Sequence, residues 1–341
     1  MSVHLGKDAR WESSFLAFMY RQFFYRPKPI TADLSGQTAI ITGANVGLGF
    51  EAGRQLLGLG LSRLILACRS QAKGDAAAAT LRKEHPSAKI EVWLLDMSSY
   101  ASIKEFVKRC AGDELQRLDI AILNAGVHNT ELIKSEQTGY ETTFQVNYVS
   151  TALLSILLLP VLWEKRASGR QARLSIIGSD TQYWARVDPA GGPILPRVAA
   201  PAKFESMNQY ATTKLLLMGF VMKLAESIDP EVVIVNVVNP GLTASTDISK
   251  GTPPSLAFRT FLMLTGRSLE WGADTYVEGV VVKGRESHGS FVSDWTIKPF
   301  PTIYYTEEGV EMKDRLWEET MEELNFVGAS GIVSKLANAK P

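Results

Sequence analysis

A tyrosine and a lysine four residues apart are the pair in this sequence whose types and spacing best suit proton transfer. Tyr210 and Lys214 lie in the run NQYATTK at 208–214. On a helix this spacing places a phenol and an ammonium on one face. A free tyrosine has a pKa of about 10 and is a poor acid or base near neutral pH. A positive charge beside it stabilises the phenolate and lowers its pKa. The pair is common by chance, so its meaning depends on the surrounding elements.

A glycine-rich turn precedes this pair. Residues 37–43, QTAIITG, have the pattern of an apolar strand ending in glycine, and ANVGLG follows before a helical stretch. A strand, such a turn and a helix N-terminus together suit the pyrophosphate of a dinucleotide, because backbone N–H groups and the helix dipole face the anion. The glycines at 43, 47 and 49 are spaced GxxxGxG, not GxGxxG. Ordinary turn glycines are the alternative for this motif alone.

Strand and helix patterns alternate along most of the chain. Strands are predicted at 37–43, 63–68, 89–95, 119–123, 172–178, 231–238 and 289–293. Helices are predicted at 48–59, 72–84, 99–111, 140–165, 208–228 and 269–284. Such alternation implies right-handed crossovers and a parallel sheet with helices on both faces. The sequence therefore predicts an α/β fold, a doubly wound sheet of about seven strands in the order 3-2-1-4-5-6-7, with ligands at the strand C-termini.

No linker rich in Pro, Gly or Ser separates two cores, so we expect a single domain. Two stretches within it, rich in proline or irregular in pattern, are predicted to be loops that carry substrate contacts. The predicted parts are an aromatic-rich extension at 1–35, the domain at 36–300 with loops at 180–207 and 242–268, and a helical tail at 301–341.

Composition narrows the function classes. The 341 residues include 36 basic and 36 acidic side chains, so nothing indicates a nucleic-acid partner. Cys68 and Cys110 support no disulfide framework and fit a reducing compartment, which predicts a cytoplasmic protein. The four histidines share no metal-ligand spacing with these cysteines. We therefore expect no metal site, and the composition argues against a zinc-dependent alcohol dehydrogenase.

Membrane contact is predicted only at the periphery. No segment reaches the roughly 20 apolar residues of a transmembrane helix. The longest apolar stretch, Thr151 to Trp163, contains Pro160 and is predicted to be a buried helix. Residues 11–25 are rich in aromatic side chains that would cover more than one face of a helix. Docking on the protein or a homodimer contact is favoured for this segment, and contact with a membrane surface is the alternative.

Taken in order, the motifs resemble those of the short-chain dehydrogenase/reductase family, of the classical type. The resemblance covers about residues 36–245 and rests on TGANVGLG at 42–49, NAG at 124–126, Ser179, the Tyr210–Lys214 pair and Pro240-Gly241. The run LACR at 66–69 and the N-terminal extension are similar to retinol-dehydrogenase-like and fungal biosynthetic reductases. The resemblance implies a Rossmann fold and an oxidoreductase, with a ketoreductase of secondary metabolism as the expectation.

Ser179 is the candidate catalytic serine. It follows the predicted strand at 172–178, and the resemblance implies that its hydroxyl donates to a substrate carbonyl oxygen. Ser175 competes, but it lies within the strand and is expected to face packing or a neighbouring strand. Ser206 is expected to cap the helix that carries Tyr210. The long separation between Ser179 and Tyr210 leaves their relative placement open.

The resemblance also implies roles for the remaining catalytic residues. Tyr210 gives or takes the proton of the substrate oxygen, and Lys214 binds the nicotinamide ribose and lowers the tyrosine pKa. Asn147 holds a water that relays protons to Lys214. The alternative for Asn147, which lies in a predicted helix, is a side chain bonded to its own helix.

Cofactor contacts are predicted along the strand ends. The residues are Gly43, Asn45, Gly47, Leu48, Gly49, Arg69, Asp96, Met97, Asn124, Ala125, Gly126, Tyr210, Lys214, Pro240, Gly241 and Thr243. By resemblance, Asp96 contacts adenine, although it also suits a helix N-cap. The Pro240-Gly241 turn holds the nicotinamide, with Thr243 bonding the carboxamide; a simple loop is the alternative there.

The cofactor is predicted to be NADPH/NADP⁺. An NAD enzyme usually has an acid at the end of the second strand, whereas this chain has none there before Asp75. Arg69 at that point suits a 2′-phosphate, with solvent exposure as its alternative.

The substrate is expected to be an apolar, polyketide- or terpenoid-like carbonyl or alcohol compound, because the candidate loops carry few charges. Tyr183 and Trp184 are candidates for lining its pocket, with packing as the alternative. The alternative function is a cofactor-binding protein of the same fold with a redox-neutral role, as an isomerase or cyclase, or with a scaffold or regulatory role.

Overall fold

The computed structural model describes residues 1–244, 249–250 and 256–337. Its strands are β1 Thr38–Thr42, β2 Arg63–Cys68, β3 Lys89–Leu94, β4 Ile120–Leu123, β5 His128–Asn129, β6 Ala172–Ile177, β7 Val233–Asn239, β8 Ser249–Lys250, β9 Phe291–Ser293 and β10 Thr296–Lys298. Eight of them form one sheet in the order β10-β9-β7-β6-β4-β1-β2-β3, and β5 pairs with β8 in a small parallel ribbon.

The predicted strand order is confirmed. β1, β4 and β7 are buried at every residue, as expected for parallel strands covered on both faces. The pattern missed an eighth strand of the main sheet, β10, which has three residues and runs antiparallel to β9. The turn between them places Asp294 and Trp295 at φ 52° and 59°, a region that side-chain-bearing residues rarely adopt.

Helices cover both faces of the main sheet. They are α1 Ala9–Glu12, α2 Phe15–Phe24, α3 Gly47–Gly58, α4 Gln71–Glu84, α5 Tyr100–Ala111, α6 Thr142–Phe144, α7 Thr151–Lys165, α8 Ile194–Ala199, α9 Ser206–Glu226, α10 Leu256–Thr265, α11 Leu269–Val277, α12 Glu307–Glu323 and α13 Ala329–Ala337. One apolar core joins α3, α4 and α11 to the sheet, and the other joins α5, α7, α9, α12 and α13.

A long apolar helical run lies in the second core. It spans Thr142–Lys165, and α6 and α7 within it are joined by a π-helical turn at Gln145–Ser150. By length and composition this is the one helix among the described residues that could cross a membrane, but 83% of its most apolar stretch is buried inside the protein. The prediction of a buried core helix is confirmed.

The two stretches predicted as loops are partly helical, so the prediction was wrong for those parts. The first contains a 3₁₀ turn at Asp180–Trp184 and helix α8, and the second contains α10. Pro193 directly precedes α8, where a proline is compatible with a helix start. Pro253 and Pro254 of the second stretch lie outside the described residues. The helical tail is confirmed by α12, which packs against α9.

The N-terminal extension docks on the sheet edge at its first residues. Ser2 is buried, and its N–H donates to Ser290 Oγ at 3.1 Å. Its own Oγ accepts a hydrogen bond from the Phe291 N–H at 2.9 Å, and the Tyr305 hydroxyl donates to its carbonyl oxygen at 2.6 Å. These bonds fix the chain terminus beside β9.

Helix α2 docks with one face only. Phe18 is buried and meets Trp184 edge-on, with ring centroids 5.4 Å apart. Phe15, Leu16 and Phe24 are exposed on the other side. The prediction of docking is confirmed, and the homodimer and membrane contacts of residues 11–25 stay predictions.

Gly74 of α4 tests how closely the helices pack on the sheet. A Cβ at this position would lie 2.5 Å from Val92 Cγ1 and 2.6 Å from Cys68 Sγ. We expect Gly74→Ala to lower the free energy of unfolding by about 1–3 kcal/mol through overpacking. Gly58→Ala is the matched control, because nothing lies within 4 Å there, and alanine should stabilise α3 by up to about 1 kcal/mol. Urea unfolding of both variants measures this, and equal midpoints would contradict the tight contact.

Candidate active site

The predicted site residues collect at one edge of the main sheet. The C-terminal ends of parallel strands share an edge, so segments that are distant in sequence meet there. The residues that follow the strands are Gly43 after β1, Arg69 after β2, Asp96 after β3, Asn124 after β4, Ser179 after β6 and Pro240 after β7.

The turn after β1 requires glycine at three positions. Gly43 and Gly47 have φ values of 66° and 62°, where a side chain is strained. At Gly49 a Cβ would lie 2.5 Å from Asn124 Nδ2 and 3.0 Å from the Gly43 carbonyl oxygen. The bare backbone of this turn and the start of α3 therefore form a cradle of the kind that a pyrophosphate occupies. Asn45 and Leu48 are half-buried in the same turn.

Asn124 ties this turn to the end of β4. Its Nδ2 donates to the Thr42 carbonyl oxygen at 2.9 Å and to that of Gly43 at 3.3 Å. The Ala125 N–H donates to Thr42 Oγ1 at 2.9 Å. The amide oxygen of Asn124 accepts from the Tyr276 hydroxyl at 3.0 Å. Tyr276 lies on α11 and no sequence motif pointed to it.

Asn147 lies in the π-helical turn and bonds to a different segment. Its Oδ1 accepts from the Val127 N–H at 2.8 Å and its Nδ2 donates to the Val127 carbonyl oxygen at 2.8 Å. The same Nδ2 lies 3.4 Å from Thr213 Oγ1 on α9. The alternative of a side chain bonded to its own helix is wrong. A Cβ on Gly126 would come within 3.3 Å of Asn147 Oδ1, a tight contact. The proton-relay role of Asn147 stays a prediction.

Helix α9 brings Tyr210 and Lys214 to the end of β6. Lys214 is buried, and its Nζ donates to the Ile177 carbonyl oxygen at 2.7 Å. The same ammonium lies 5.6 Å from the centroid of the Tyr210 ring. Ser179, which follows β6, acts on the Tyr210 phenol by lowering its pKa, and α9 packs against the 3₁₀ turn that begins directly after this serine. The placement that the sequence left open is thus resolved: the serine and the tyrosine are neighbours.

Burial controls the ionisation of this pair. It raises the pKa of Tyr210 to about 12, and the nearby Ser179 hydroxyl opposes that rise only in part. Burial also lowers the pKa of Lys214 to about 8. The expected lowering of the tyrosine pKa is wrong for this environment, because loss of solvent around the phenolate dominates. Tyr210 is therefore a neutral phenol near neutral pH.

The other two serines have structural bonds. Ser175 Oγ donates to Asn236 Oδ1 at 2.6 Å across β6 and β7, so its predicted place toward a neighbouring strand is confirmed. The predicted helix cap at Ser206 is wrong, because Glu205 is the N-cap of α9. Ser206 Oγ instead donates to the Asn129 carbonyl oxygen at 2.7 Å.

His128 is a site neighbour that the sequence analysis missed. Its ring centroid lies 5.2 Å from that of Tyr210 with the planes at 51°. Its Nε2 lies 2.8 Å from Ser206 Oγ. Burial lowers the pKa of His128, which favours the neutral imidazole. Its position two residues after Gly126 was the available signal, but the contact depends on β5 approaching the start of α9.

The adenine side of the site is more open. Asp96 Oδ1 accepts from the Ser98 N–H at 2.9 Å and the Ser98 hydroxyl at 2.7 Å, whereas Ser99 caps α5. The N-cap alternative for Asp96 is therefore wrong. Met97 is buried in the core. Arg69 is exposed directly after β2 and forms no ion pair within the part of the chain that the structure describes.

The turn after β7 is enclosed by residues from two distant segments. Gly241 has a φ of 74°, and a Cβ there would lie 2.5 Å from Arg267 Nη1. The Leu242 carbonyl oxygen accepts from Gln22 Nε2 at 2.6 Å and from the Arg267 N–H at 2.8 Å. Thr243 is buried beside them. The sequence did not predict that the N-terminal extension contacts this turn.

Tyr183 and Trp184 point toward the extension and the β9–β10 region. The Tyr183 hydroxyl donates to the Pro299 carbonyl oxygen at 2.7 Å. The Trp184 indole N–H donates to the Ser13 carbonyl oxygen at 2.8 Å. Both rings thus have packing roles, and their contact with substrate stays a prediction.

Comparison with known proteins points to one family. The family model for short chain dehydrogenases matches residues 37–181. The chain is 50% identical to "Short chain dehydrogenase virL" of Hypocrea virens over 98% of this chain and 99% of the relative. It is 45% identical to "Short chain dehydrogenase/reductase mfmJ" of Annulohypoxylon moriforme over 94% of each chain.

Solved structures agree on the fold. The oxidoreductase yciK of E. coli aligns with a TM-score of 0.59 and 20% identity over 80% of this chain and 99% of its own. A short-chain dehydrogenase from Sphingobium yanoikuyae in complex with NADPH aligns with a TM-score of 0.55 and 22% identity, over 75% and 87%. At such identities the likeness concerns the fold alone.

The buried ammonium of Lys214 should make stability depend on pH. Its pKa is about 8 when folded and 10.5 when unfolded, so the unfolded chain binds more protons between these values and wild-type stability rises with pH there. We expect Lys214→Met to be more stable than wild type near pH 7, by on the order of 1–2 kcal/mol. The gap should narrow from about pH 8 to 10.5 in chemical unfolding experiments. A gap independent of pH would contradict a buried charge.

Proposed function

Because this chain belongs to the short-chain dehydrogenase/reductase family of oxidoreductases, which bind nicotinamide cofactors, we propose that it is an NADPH-dependent enzyme interconverting a carbonyl and an alcohol. The observation that carries the proposal is the meeting of Tyr210, Ser179 and Lys214 at the carboxyl end of β6. Ser179 and the Tyr210–Lys214 pair of α9 come from two separate segments, and their convergence is what proton transfer to a substrate oxygen requires.

Tyr210 is the proposed general acid and base. Its phenol is neutral near pH 7, because burial raises its pKa to about 12. A neutral phenol is the form that gives a proton to a carbonyl oxygen, as carbonyl reduction requires. Ser179, whose side chain also acts on that phenol, is assigned to orient the same oxygen. Lys214 is fixed through the Ile177 carbonyl oxygen, with its ammonium 5.6 Å from the centroid of the Tyr210 ring.

The residues present fit a nicotinamide dinucleotide. The turn after β1 supplies bare backbone for the pyrophosphate, because Gly43 and Gly47 have positive φ and Gly49 has no room for a Cβ against Asn124. When bound there, the cofactor supplies the hydride for carbonyl reduction. We assign Asn124 and Gly126 to supporting the cradle and the turn after β7 to holding the nicotinamide end. Asn147 is assigned to the proton path toward Lys214.

Arg69 supports NADPH over NADH. It is exposed at the end of β2 with no acidic residue before Asp75, so its guanidinium is available to a 2′-phosphate. The solved relative in complex with NADPH has the same fold and is consistent with this choice.

The substrate class is proposed from the site and its relatives. The rings of His128 and Tyr210 lie next to each other, and Tyr183 and Trp184 lie on the segment directly after Ser179. The relatives over nearly the whole chain are fungal short chain dehydrogenases. We therefore propose an apolar, polyketide- or terpenoid-like ketone, aldehyde or alcohol as substrate, in a pathway of secondary metabolism.

Tyr210→Phe tests the proposed chemistry. We expect turnover of an apolar ketone or aldehyde panel, followed by NADPH absorbance, to fall by about 10²–10⁴, because the proton donor is lost. NADPH affinity should change by no more than a few-fold, since the ring remains. The exposed Tyr20→Phe is the matched control. Turnover above half the wild-type value would contradict the assignment. NADPH binding without net oxidation by any carbonyl would favour a redox-neutral enzyme or a scaffold.

Arg69→Ala tests cofactor choice. Loss of the guanidinium should raise the KM for NADPH at least tenfold, about 1.4 kcal/mol, and leave that for NADH nearly unchanged. Arg10→Ala, another exposed arginine, is the matched control. Initial rates at varied cofactor concentration give both constants. Equal losses for the two cofactors, or a wild-type preference for NADH, would overturn the choice of NADPH.

A further inference from the structure

A cluster of buried charges lies between the N-terminal extension and the active-site edge of the sheet. It contains three basic and three acidic side chains that form ion pairs with one another, and each side chain is at most 15% exposed. They are Glu12, Arg21, Asp180, Arg267, Asp294 and Lys298. Burying charges is costly unless each is paired, so the arrangement requires the extension to stay in place.

Arg21 of α2 is the centre of this cluster. Its Nε lies 2.9 Å from Asp294 Oδ2, and its Nη1 donates to the Glu12 carbonyl oxygen at 3.0 Å. Its Nη2 faces Asp180 Oδ1 at 3.8 Å. Asp180 is the residue directly after Ser179, so the extension reaches the segment that carries the catalytic serine.

Arg267 repeats this arrangement toward the turn after β7. It pairs with the same Asp294, and its Nη1 lies 3.4 Å from the Pro240 carbonyl oxygen. The Asp294 carboxylate pairs with both guanidinium groups. Its backbone has a φ of 52°, in the left-handed region. A strained backbone conformation persists only where the surrounding structure holds it in place. Here the two ion pairs hold the Asp294 backbone. Arg267 Nη2 also lies 3.3 Å from the Arg21 carbonyl oxygen, which joins the two arginines.

A hydrogen-bond chain links the two active-site segments inside this cluster. The Asp180 N–H donates to Asn239 Oδ1 at 3.2 Å. Asn239, the last residue of β7, donates from Nδ2 to Ser293 Oγ at 2.9 Å, and that hydroxyl donates to Asp294 Oδ2 at 2.9 Å. The segment after β6 and the turn after β7 therefore share one buried support.

Gln22 provides a second contact from α2 that carries no charge. Its Nε2 donates to the Leu242 carbonyl oxygen at 2.6 Å and to that of Thr265 at 2.8 Å. Its Oε1 would lie 3.2 Å from a Cβ on Gly241, which leaves no room for a side chain there. Gln22 is itself buried. One side chain of the extension thus clamps the turn assigned to the nicotinamide end.

We propose that α2 is a positioning element of the active site, in which Arg21 sets the segment carrying Ser179 and Gln22 sets the turn carrying Pro240 and Gly241. This inference rests on the proposed function for its catalytic consequence. Neither residue touches the reacting atoms; each acts through the backbone that it holds. Small displacements of such backbone cost rate and cofactor affinity even in a fully folded enzyme.

The experiment compares Gln22→Met and Arg21→Lys with wild type in the full-length chain. Methionine keeps the length of Gln22 and removes both amide N–H donors. Lysine keeps the positive charge of Arg21 and removes the several N–H donors of the planar guanidinium. Leu16→Ala, on the exposed face of the same helix, is the matched control. The readouts are amide hydrogen exchange by mass spectrometry, the NADPH dissociation constant, and kcat below the melting temperature of every variant.

Exchange should accelerate at Asp180–Trp184 in Arg21→Lys and at 241–244 in Gln22→Met, with the control like wild type. We expect NADPH to bind about tenfold more weakly to Gln22→Met, and kcat to fall about tenfold in Arg21→Lys. A role limited to stability would lower the melting temperature of both variants and leave these local and kinetic values unchanged, which would overturn the proposal.

The exchange readout separates this inference from the proposed function. If the wild-type chain neither binds NADPH nor reduces a carbonyl, the proposed function fails, and the exchange pattern of the free protein still decides whether α2 holds these two segments. Faster exchange confined to residues 1–24 in both variants would overturn the positioning role, even in an active NADPH-dependent enzyme.

Discussion

The buried ammonium of Lys214 is the constraint on which the arrangement of the site depends. An ammonium removed from water needs a well-placed acceptor, and the carbonyl oxygen of Ile177 at the end of β6 is 2.7 Å away. That bond sets the approach of α9 to the sheet. Tyr210, one helical turn earlier, is thereby brought to Ser179 just past the same strand. The burial that requires this bond also keeps the phenol neutral, so position and protonation state have a common cause.

Backbone bonds made by side chains hold the remaining segments in place. Asn124 joins the ends of β1 and β4, Asn147 joins the π-helical turn to Val127, and Asn239 joins the ends of β6 and β7. Each of these amides hydrogen-bonds to backbone groups of another segment, and a buried backbone group left without a partner would lower stability. Helix α2 extends this scheme beyond the sheet through Arg21 and Gln22. A site supported in this way is held by rigid elements more than by loops.

Much of the fold and part of the site could be predicted from the sequence, because the signals are local. Strand and helix periodicities depend on neighbouring residues, and right-handed crossovers then leave few strand orders, so the order of the seven predicted strands is confirmed. The role of the glycines in the turn after β1 could be predicted, because the need for a positive φ or for space without a Cβ arises from the local backbone. The family follows from motifs in order, and the comparisons agree.

Only the tertiary structure decided what depends on residues distant in sequence. The pKa of Tyr210 was predicted to fall and instead rises, because desolvation is set by everything packed around the phenol. Ser206 bonds to Asn129 instead of capping its helix, since β5 offers an acceptor that the local sequence does not reveal. Arg21 and Asp294 are separated by most of the chain, and no sequence pattern near either residue indicates that they pair. Short-range chemistry was thus determined by the sequence itself, whereas solvation and long-range ion pairing exist only once the chain has folded.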